Sequence, residues 1–447
     1  MPLHVPDQRF AVRLRELREQ RRMSLRALQV RALSSRSRLS DYELGKSLPP
    51  LDVAIRVDTA LRAGGELVTL LTAAQRTVAA REGLEFAPGW SRAVLVATGL
   101  WRGDVERRKV LRGAAFAASA FMAPAMRAML PVDEQLTGDG PRDVDESDVE
   151  MIRRVTMTLR GLDNEFGGAA VREVVVRFLD ADLAPLLRGG YSETVGRSLL
   201  SATAEATRLA GWTTYDAGLH GLSQRYLIQA LRLATAARDL PLAAEIIAAM
   251  SHQCAYLRSP TEAVDLARVA ARLAADSGVQ AIAAEAAVLE AHGYAQAGDE
   301  RACTVALDRA ERTLDRADRA TDPQWISYFD EAYLSAKFGH CFAALGRADL
   351  AERFASRSLD MDGRFVRGRQ FNLALLATAH AGKGEVEQAA TVGGEAVKLA
   401  VRLKSSRSAE YVRKLADQLA GHAGLPAVDE FTEQVGPLLA RAGPSPS

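Results

Sequence analysis

The strings AGLHGLS (217–223), RSPTEAV (258–264), AGDERAC (297–303), LGRADLA (345–351) and KGEVEQA (383–389) decide the fold. Each separates two stretches of helical sequence. With Ser223, Ala263, Cys303, Ala351 and Ala389 taken as equivalent, the spacings are 40, 40, 48 and 38 residues. A period in this range marks a solenoid, in which each helix pair buries its apolar face against its neighbours. Small residues recur around the turns, as Ala291, Gly298, Cys303 and Ala310 in one unit and Gly339, Gly346, Ala351 and Ser358 in the next. They let two antiparallel helices approach closely. Helical patterning extends on both sides, so a repeat domain is expected over 149–440.

Composition supports an all-α chain. Of 447 residues 80 are Ala and 50 are Arg, while aromatics make up 6%. Ala and Arg favour helix and β-rich runs are scarce, which argues against an α/β nucleotide-binding enzyme or a β-sandwich. Cys254, Cys303 and Cys341 are far apart and form no CxxC pair, as suits a reducing cytoplasm without disulfides or a thiolate zinc site. No phosphate loop, nucleophile elbow or HExxH stretch is present, so neither catalysis nor a cofactor is expected. The longest apolar run, Gly113–Met126, has 14 residues and contains Pro124, whereas a spanning helix needs about 20. The preceding RRKVL (107–111) looks like a twin-arginine export signal but stands about a hundred residues into the chain. A buried or interfacial helix is expected there, with no membrane role.

The net charge of +1 conceals a separation. Arg9 to Lys46 holds 11 cations and 4 acids, an excess of +7, whereas Pro131 to Asp148 holds seven acids against Arg142 alone. The basic head is an electrostatic footprint for a polyanion. The acidic segment predicts a mobile, solvated tether. The expected order is a DNA-binding head at 8–82, a helical connector at 83–130, an acidic linker at 131–148 and the repeats, with a disordered tail RAGPSPS.

Within the head, Gln8 to Gln20 reads as an amphipathic helix with Phe10, Leu14 and Leu17 on its apolar stripe. Ser24 caps a second helix, and Ser34 or Ser35 a third that stops at Gly45. A fourth runs from Leu51 to Leu61 after Pro49-Pro50, and a fifth follows Gly64-Gly65. This order, with SRLSDYELGKSLPPLDVAIRVDTAL (37–61), resembles the helix-turn-helix domain of the phage-repressor and xenobiotic-response-element family. The resemblance implies that the third helix enters the major groove of double-stranded DNA. It places Arg36, Ser37 and Asp41 at base edges, with Ser35 and Arg38 nearby. Asp41 is equally suited to a local pair with Arg38 or Lys46. Ser24, Arg26 and Lys46 fall at or beside phosphate positions. Arg18 and Glu43 match a family ion pair between helices one and three. Leu25, Gln29 and Leu33 depart from the family pattern, which has Gln, a small residue and Gly there, so a reshaped turn is expected at Leu33.

The repeats resemble the tetratricopeptide repeat with lengthened helices. That resemblance puts Trp212, His252, His292 and His340 at one equivalent position on the concave side, and Arg208, Asp216, Tyr256, Gln296 and Tyr333 at other inward positions. The implied surface is a polar, aromatic trough for a peptide or small-molecule effector, with histidines that report pH or bind an anion; the alternative is an ordinary solvated groove. Stacked repeats lie about 10 Å apart, too far for adjacent histidines to chelate one metal. The combined architecture, with LRGLDNEFGG (159–168) and RLAGWTTYDAGLHGLSQRYLIQALRLA (208–234), resembles a group of actinobacterial transcription regulators. It implies a cytoplasmic homodimer whose effector gates promoter binding. A scaffold that binds a protein partner, with a relic head, is the competing reading.

Overall fold

A computed structural model describes residues 8–46, 49, 51–71, 85–106, 115–130 and 134–442. The end of the fifth helix, the 82/83 boundary, RRKVL and the last five residues of the tail fall outside them. The described residues are mostly helical, and the chain divides after Glu85 into two units.

The first unit holds α1 (Arg9–Gln20), α2 (Leu25–Ala32), α3 (Arg36–Glu43), α4 (Leu51–Leu61) and α5, helical over 66–71. Phe10, Leu14 and Leu17 of α1 meet Leu28, Leu39, Tyr42, Val57 and Leu61 in one buried core. Ser24 Oγ accepts from Ala27 N at 3.1 Å, and Ser35 Oγ from Arg38 N at 3.4 Å, so both predicted caps form. Asp58 accepts from Gly65 N at 2.8 Å and Leu67 N at 2.9 Å, which ties the start of α5 to α4. The turn at Leu33 is not reshaped. Leu33 takes φ 49° and ψ 45°, the left-handed conformation the family gives to Gly, at a cost of about 1–2 kcal/mol.

In the second unit α6 (Trp90–Val105) buries Trp101 completely. A 3-10 turn (Ala118–Phe121) leads into α7 (Met122–Ala128). Next come α8 (Glu146–Phe166) and α9 (Gly168–Phe178). Twelve helices then alternate as pairs: α10 (Glu193–Asp216) with α11 (His220–Ala237), α12 (Leu240–Tyr256) with α13 (Pro260–Ser277), and α14 (Gln280–Ala297) with α15 (Glu300–Asp315). The remaining pairs are α16 (Glu331–Ala344) with α17 (Ala348–Arg357), α18 (Val366–Lys383) with α19 (Val386–Ala400), and α20 (Ser406–Leu419) with α21 (Pro426–Ala442). The five strings that set the period are the turns inside these pairs.

One segment differs from expectation. Residues 134–145 are packed rather than a free tether. Gly138–Asp139 pairs antiparallel with Gly190–Tyr191, Leu136 and Val144 are buried, and Glu134 meets Arg232 at 2.6 Å. The apolar positions Leu136 and Val144 anchor the segment while its acids face outward or pair. The connector, for which a buried or interfacial helix is expected, is part of the second unit's core. Asp104 of α6 receives hydrogen bonds from Arg172 and, at 2.8 Å, from Tyr226 Oη, while α7 packs on α11 and α13.

The solenoid closes on itself. Helix α8 packs against both α10 and α18, and the 166–169 turn pairs with the start of α20: Lys404 N donates to Phe166 O at 2.8 Å and Ala169 N to Lys404 O at 3.0 Å. The approach requires glycines at 167 and 168. Gly167 has φ 87° and a Cβ there would lie 2.7 Å from Lys404 O; one at Gly168 would lie 2.7 Å from the Asp216 side chain. Asp216, fully buried, completes the clasp by accepting from Gly168 N at 2.8 Å and Ser405 Oγ at 2.9 Å. Arg367 of α18 holds Asp163 of α8 through two bonds of 2.6 and 2.8 Å.

Candidate functional sites: the helix-turn-helix surface and the solenoid chamber

The third helix of the head is amphipathic in the simplest way. Leu39 and Tyr42 point into the core, which leaves Ser35, Arg36, Ser37 and Arg38 exposed. Neither Arg36 nor Arg38 forms an ion pair among the described residues. Among the described residues their guanidiniums are therefore left free for an external acceptor. Ser24 and Ser35 spend their hydroxyls on caps, and Ser37 Oγ lies 3.2 Å from Ser35 Oγ. Asp41 lies 3.7 Å from Lys46 Nζ, so the local-pair alternative is present in this structure. Arg26 is exposed on α2. Arg18 bonds Glu43 at 2.5 and 3.0 Å and Met23 O at 3.0 Å, which locks α1 to the end of α3 and fixes the angle at which α3 is presented. Of the departures, Gln29 is exposed and Leu25 half-buried, so neither disturbs the core.

In the second unit the inner faces of α8, α10, α12, α14, α16, α18 and α20 enclose a chamber of about 820 Å³. Trp212, His252, His340, Arg208 and Tyr333 line it. Asp216, Tyr256, His292 and Gln296 do not. Asp216 is in the clasp, and Tyr256 packs on Tyr215 with ring centroids 5.4 Å apart. Gln296 donates to Ala255 O at 2.8 Å, and His292 stacks near His340 with centroids 6.1 Å apart. The rings thus approach more closely than the stacking distance of about 10 Å between repeats, although only His340 lines the chamber. Among the described residues the only cluster of three metal-ligating side chains is Glu352, His380 and Glu385, outside the chamber, and Lys383 already bonds Glu352 and Glu385 there.

Burial sets the ionisation of the chamber. It pushes His292 down to about 3, with Lys337 and Arg258 adding to the effect, and His252 and His340 well below the usual imidazole value, with Lys337, Arg407 and the neighbouring histidines adding to it. Burial therefore disfavours the charged imidazolium here, which weighs against a role as pH reporters. Burial, with Arg407 adding to it, lowers Lys337 to about 7. Burial and the neighbouring Glu245 raise Glu285 well above the carboxylate range. Arg208 bonds Glu245 at 2.6 Å, and Tyr328 Oη donates toward Glu245 and Glu285, both at 2.8 Å.

Several chamber residues escaped the repeat arithmetic. Trp325 and Tyr328 come from the insert behind the spacing of 48, which folds inward as two 3-10 turns (Arg319–Thr321 and Gln324–Ile326) instead of looping out. Glu245, Glu285 and Lys337 lie on paired helices at inward positions away from the one shared by the histidines. Arg367, Arg407 and Tyr411 reach the chamber because the ring closes, for which the period carries no signal.

The family model of a helix-turn-helix domain matches residues 9–71, the span of α1 to α5. No curated protein matches the chain. The head is thus a helix-turn-helix domain, and its fold and charge support a DNA-binding regulator. No helix among the described residues is long and apolar enough to cross a membrane.

Proposed function

We propose that this protein is a DNA-binding transcription regulator of the xenobiotic-response-element type, whose tetratricopeptide-like ring takes up an effector that gates promoter binding. The observation that carries the reading is the pair Arg36 and Arg38, exposed and without an ion pair among the described residues, at the N-terminus of α3 in a head with an excess of +7. An Arg at this place reads guanine bidentately and is worth about 1–3 kcal/mol of discrimination. Ser24, Arg26 and Lys46 orient the head on phosphates, while Ser35, Ser37 and Asp41 border the base edges. In a homodimer two heads would span half-sites about 34–36 Å apart. An effector held in the chamber acts on the curvature of the ring and so on the spacing of the heads. Arg407, which lines the chamber and lies 3.9 Å from Asp216, links such an effector to the clasp.

The test is binding to promoter fragments from the host genome as salt is varied. Wild type is expected to select specific fragments with a steep negative dependence on salt. Arg36→Ala/Arg38→Ala is expected to lose about 2–5 kcal/mol of specific affinity and up to about two units of slope. Equal binding by both proteins, or no specific fragment for either, would remove the basis of the reading.

A further inference from the structure

The chamber is a crowded place for charge, and most of that charge is matched within it. Arg160 bonds Glu205 at 2.7 Å, Arg208 bonds Glu245, and Arg367 bonds Asp163. Glu285 is satisfied by Tyr328 Oη at 2.8 and 3.0 Å. Two buried cations stand apart. The Lys337 side chain is on a residue only 6% exposed, yet its ammonium has no hydrogen bond or ion pair among the described residues; its near neighbour is the Tyr333 ring at 5.2 Å. Arg407 is 3% exposed, and neither its Nε nor its Nη1 has a hydrogen-bond partner. Its charge is held among rings instead, with Tyr215 at 4.4 Å, Phe371 at 4.8 Å, Tyr256 at 5.3 Å and Trp212 at 5.5 Å. The carboxylate nearest to it, Asp216, already serves Gly168 and Ser405.

Cations so nearly buried without a full set of protein acceptors are costly, and an anion from outside would answer them. Around these two cations the walls are aromatic: Trp212, Phe371, Tyr333 and Tyr411. Flat, apolar surface therefore surrounds a positive end. About 820 Å³ lies within the range of pockets for molecules of a few hundred daltons. We infer that the chamber takes a small organic anion, a carboxylate, sulfonate or phosphate on a planar apolar body, with its charge against Lys337 and Arg407 and its body between the rings. This rests on the reading of the chamber as an effector site and specifies the chemistry of the effector.

Two fluorescent probes separate the parts of the claim in the full-length protein: anilinonaphthalene sulfonate, an aromatic anion, and phenylnaphthylamine, which has the same ring system without the sulfonate. Wild type is expected to bind the anion about tenfold or more tighter than the uncharged probe. Lys337→Met should remove about tenfold of the anion's affinity and leave the uncharged probe within about twofold, while Lys337→Arg should retain the anion. Trp212→Ala should weaken both. Equal affinity of the two probes for wild type, or an anion affinity indifferent to Lys337→Met, overturns the anion inference and leaves the chamber as a ligand site. Failure of either probe to respond to any of the three substitutions overturns the chamber reading as well. If the Met variant does not fold, Lys337→Gln, which removes the charge and keeps a polar side chain, carries the same expectation and the same overturning result.

Discussion

Replacing Asp216 by Ala is the sharpest perturbation of the closed ring. Asp216 has no exposed surface, accepts from Gly168 N at 2.8 Å and Ser405 Oγ at 2.9 Å, and lies 3.4 Å from Arg367 and 3.9 Å from Arg407. Removing this carboxylate leaves Arg367 with Asp163 alone and Arg407 without a carboxylate at ion-pair distance among the described residues. Breaking a buried pair in this way costs about 3–5 kcal/mol, and the orphaned Gly168 N–H belongs to the same loss rather than adding to it. Asp216→Asn, which keeps an acceptor and the shape, should cost about half as much. Trp90, Trp101, Trp212 and Trp325 all lie in the second unit, so tryptophan fluorescence during denaturant unfolding of the full chain follows that unit without the head. Hydrogen exchange at the Ala169 and Lys404 amides, which bridge the closure, localises the effect. Both amides should exchange faster in the Ala variant. A loss under about 1 kcal/mol with both amides still protected would mean that closure does not depend on the clasp.

Three further outcomes are expected. Leu33→Gly should stabilise the head by about 0.5–1 kcal/mol, because relief of the left-handed conformation exceeds the chain entropy of Gly and Leu33, 77% exposed, gives up little burial; exchange of the head amides measures it. Asp104→Ala should cost about 3–5 kcal/mol and loosen α6, since Arg172 and Tyr226 lose their common acceptor; proteolysis around α6 reads the release. Lys337→Met should raise the melting temperature of the second unit, most below pH 7. There Lys337 is charged folded and unfolded and its burial penalty is complete, up to about 5 kcal/mol in a dry chamber and less in a hydrated one; the penalty fades as pH climbs from about 7 toward the ordinary lysine value of 10.5. A gain larger at pH ~9 than at pH ~6 would contradict this.

Much of the head was legible because its signals are local. A Ser ahead of an apolar period and a Gly at a stop are read within a few residues, and the caps at Ser24 and Ser35 form as expected. Leu33 shows the opposite case. Its side chain argues against a positive φ, but the packing of α2 and α3 around Leu28, Ala32 and Leu39 dictates the turn, and the local cost of about 1–2 kcal/mol is overridden by the core. The acidic segment misled for a related reason. Its composition is that of a tether, yet two apolar residues, Leu136 and Val144, suffice to dock it, and charge content says nothing about where those two can find a surface.

The chamber divides along the same line. A repeat period states which residues share a face, and that is why Trp212, His252 and His340 reach the interior together. The period does not state how far each pair rotates on the last, and small rotations accumulate over the array. Whether the array stays open or meets itself is decided by that sum and by contacts such as Asp163 with Arg367, 204 residues apart, or Ser405 with Asp216, 189 apart. No spacing rule links positions so distant. What the sequence does carry is a trace of their consequence: Gly167 and Gly168 read as a plain turn between helices, but a turn of two glycines is also the minimum that lets Lys404 and Asp216 come within contact of the backbone. The closure turns a trough into a chamber, and the chamber is what places Arg407, contributed from the last pair of helices, beside aromatic rings contributed from the first.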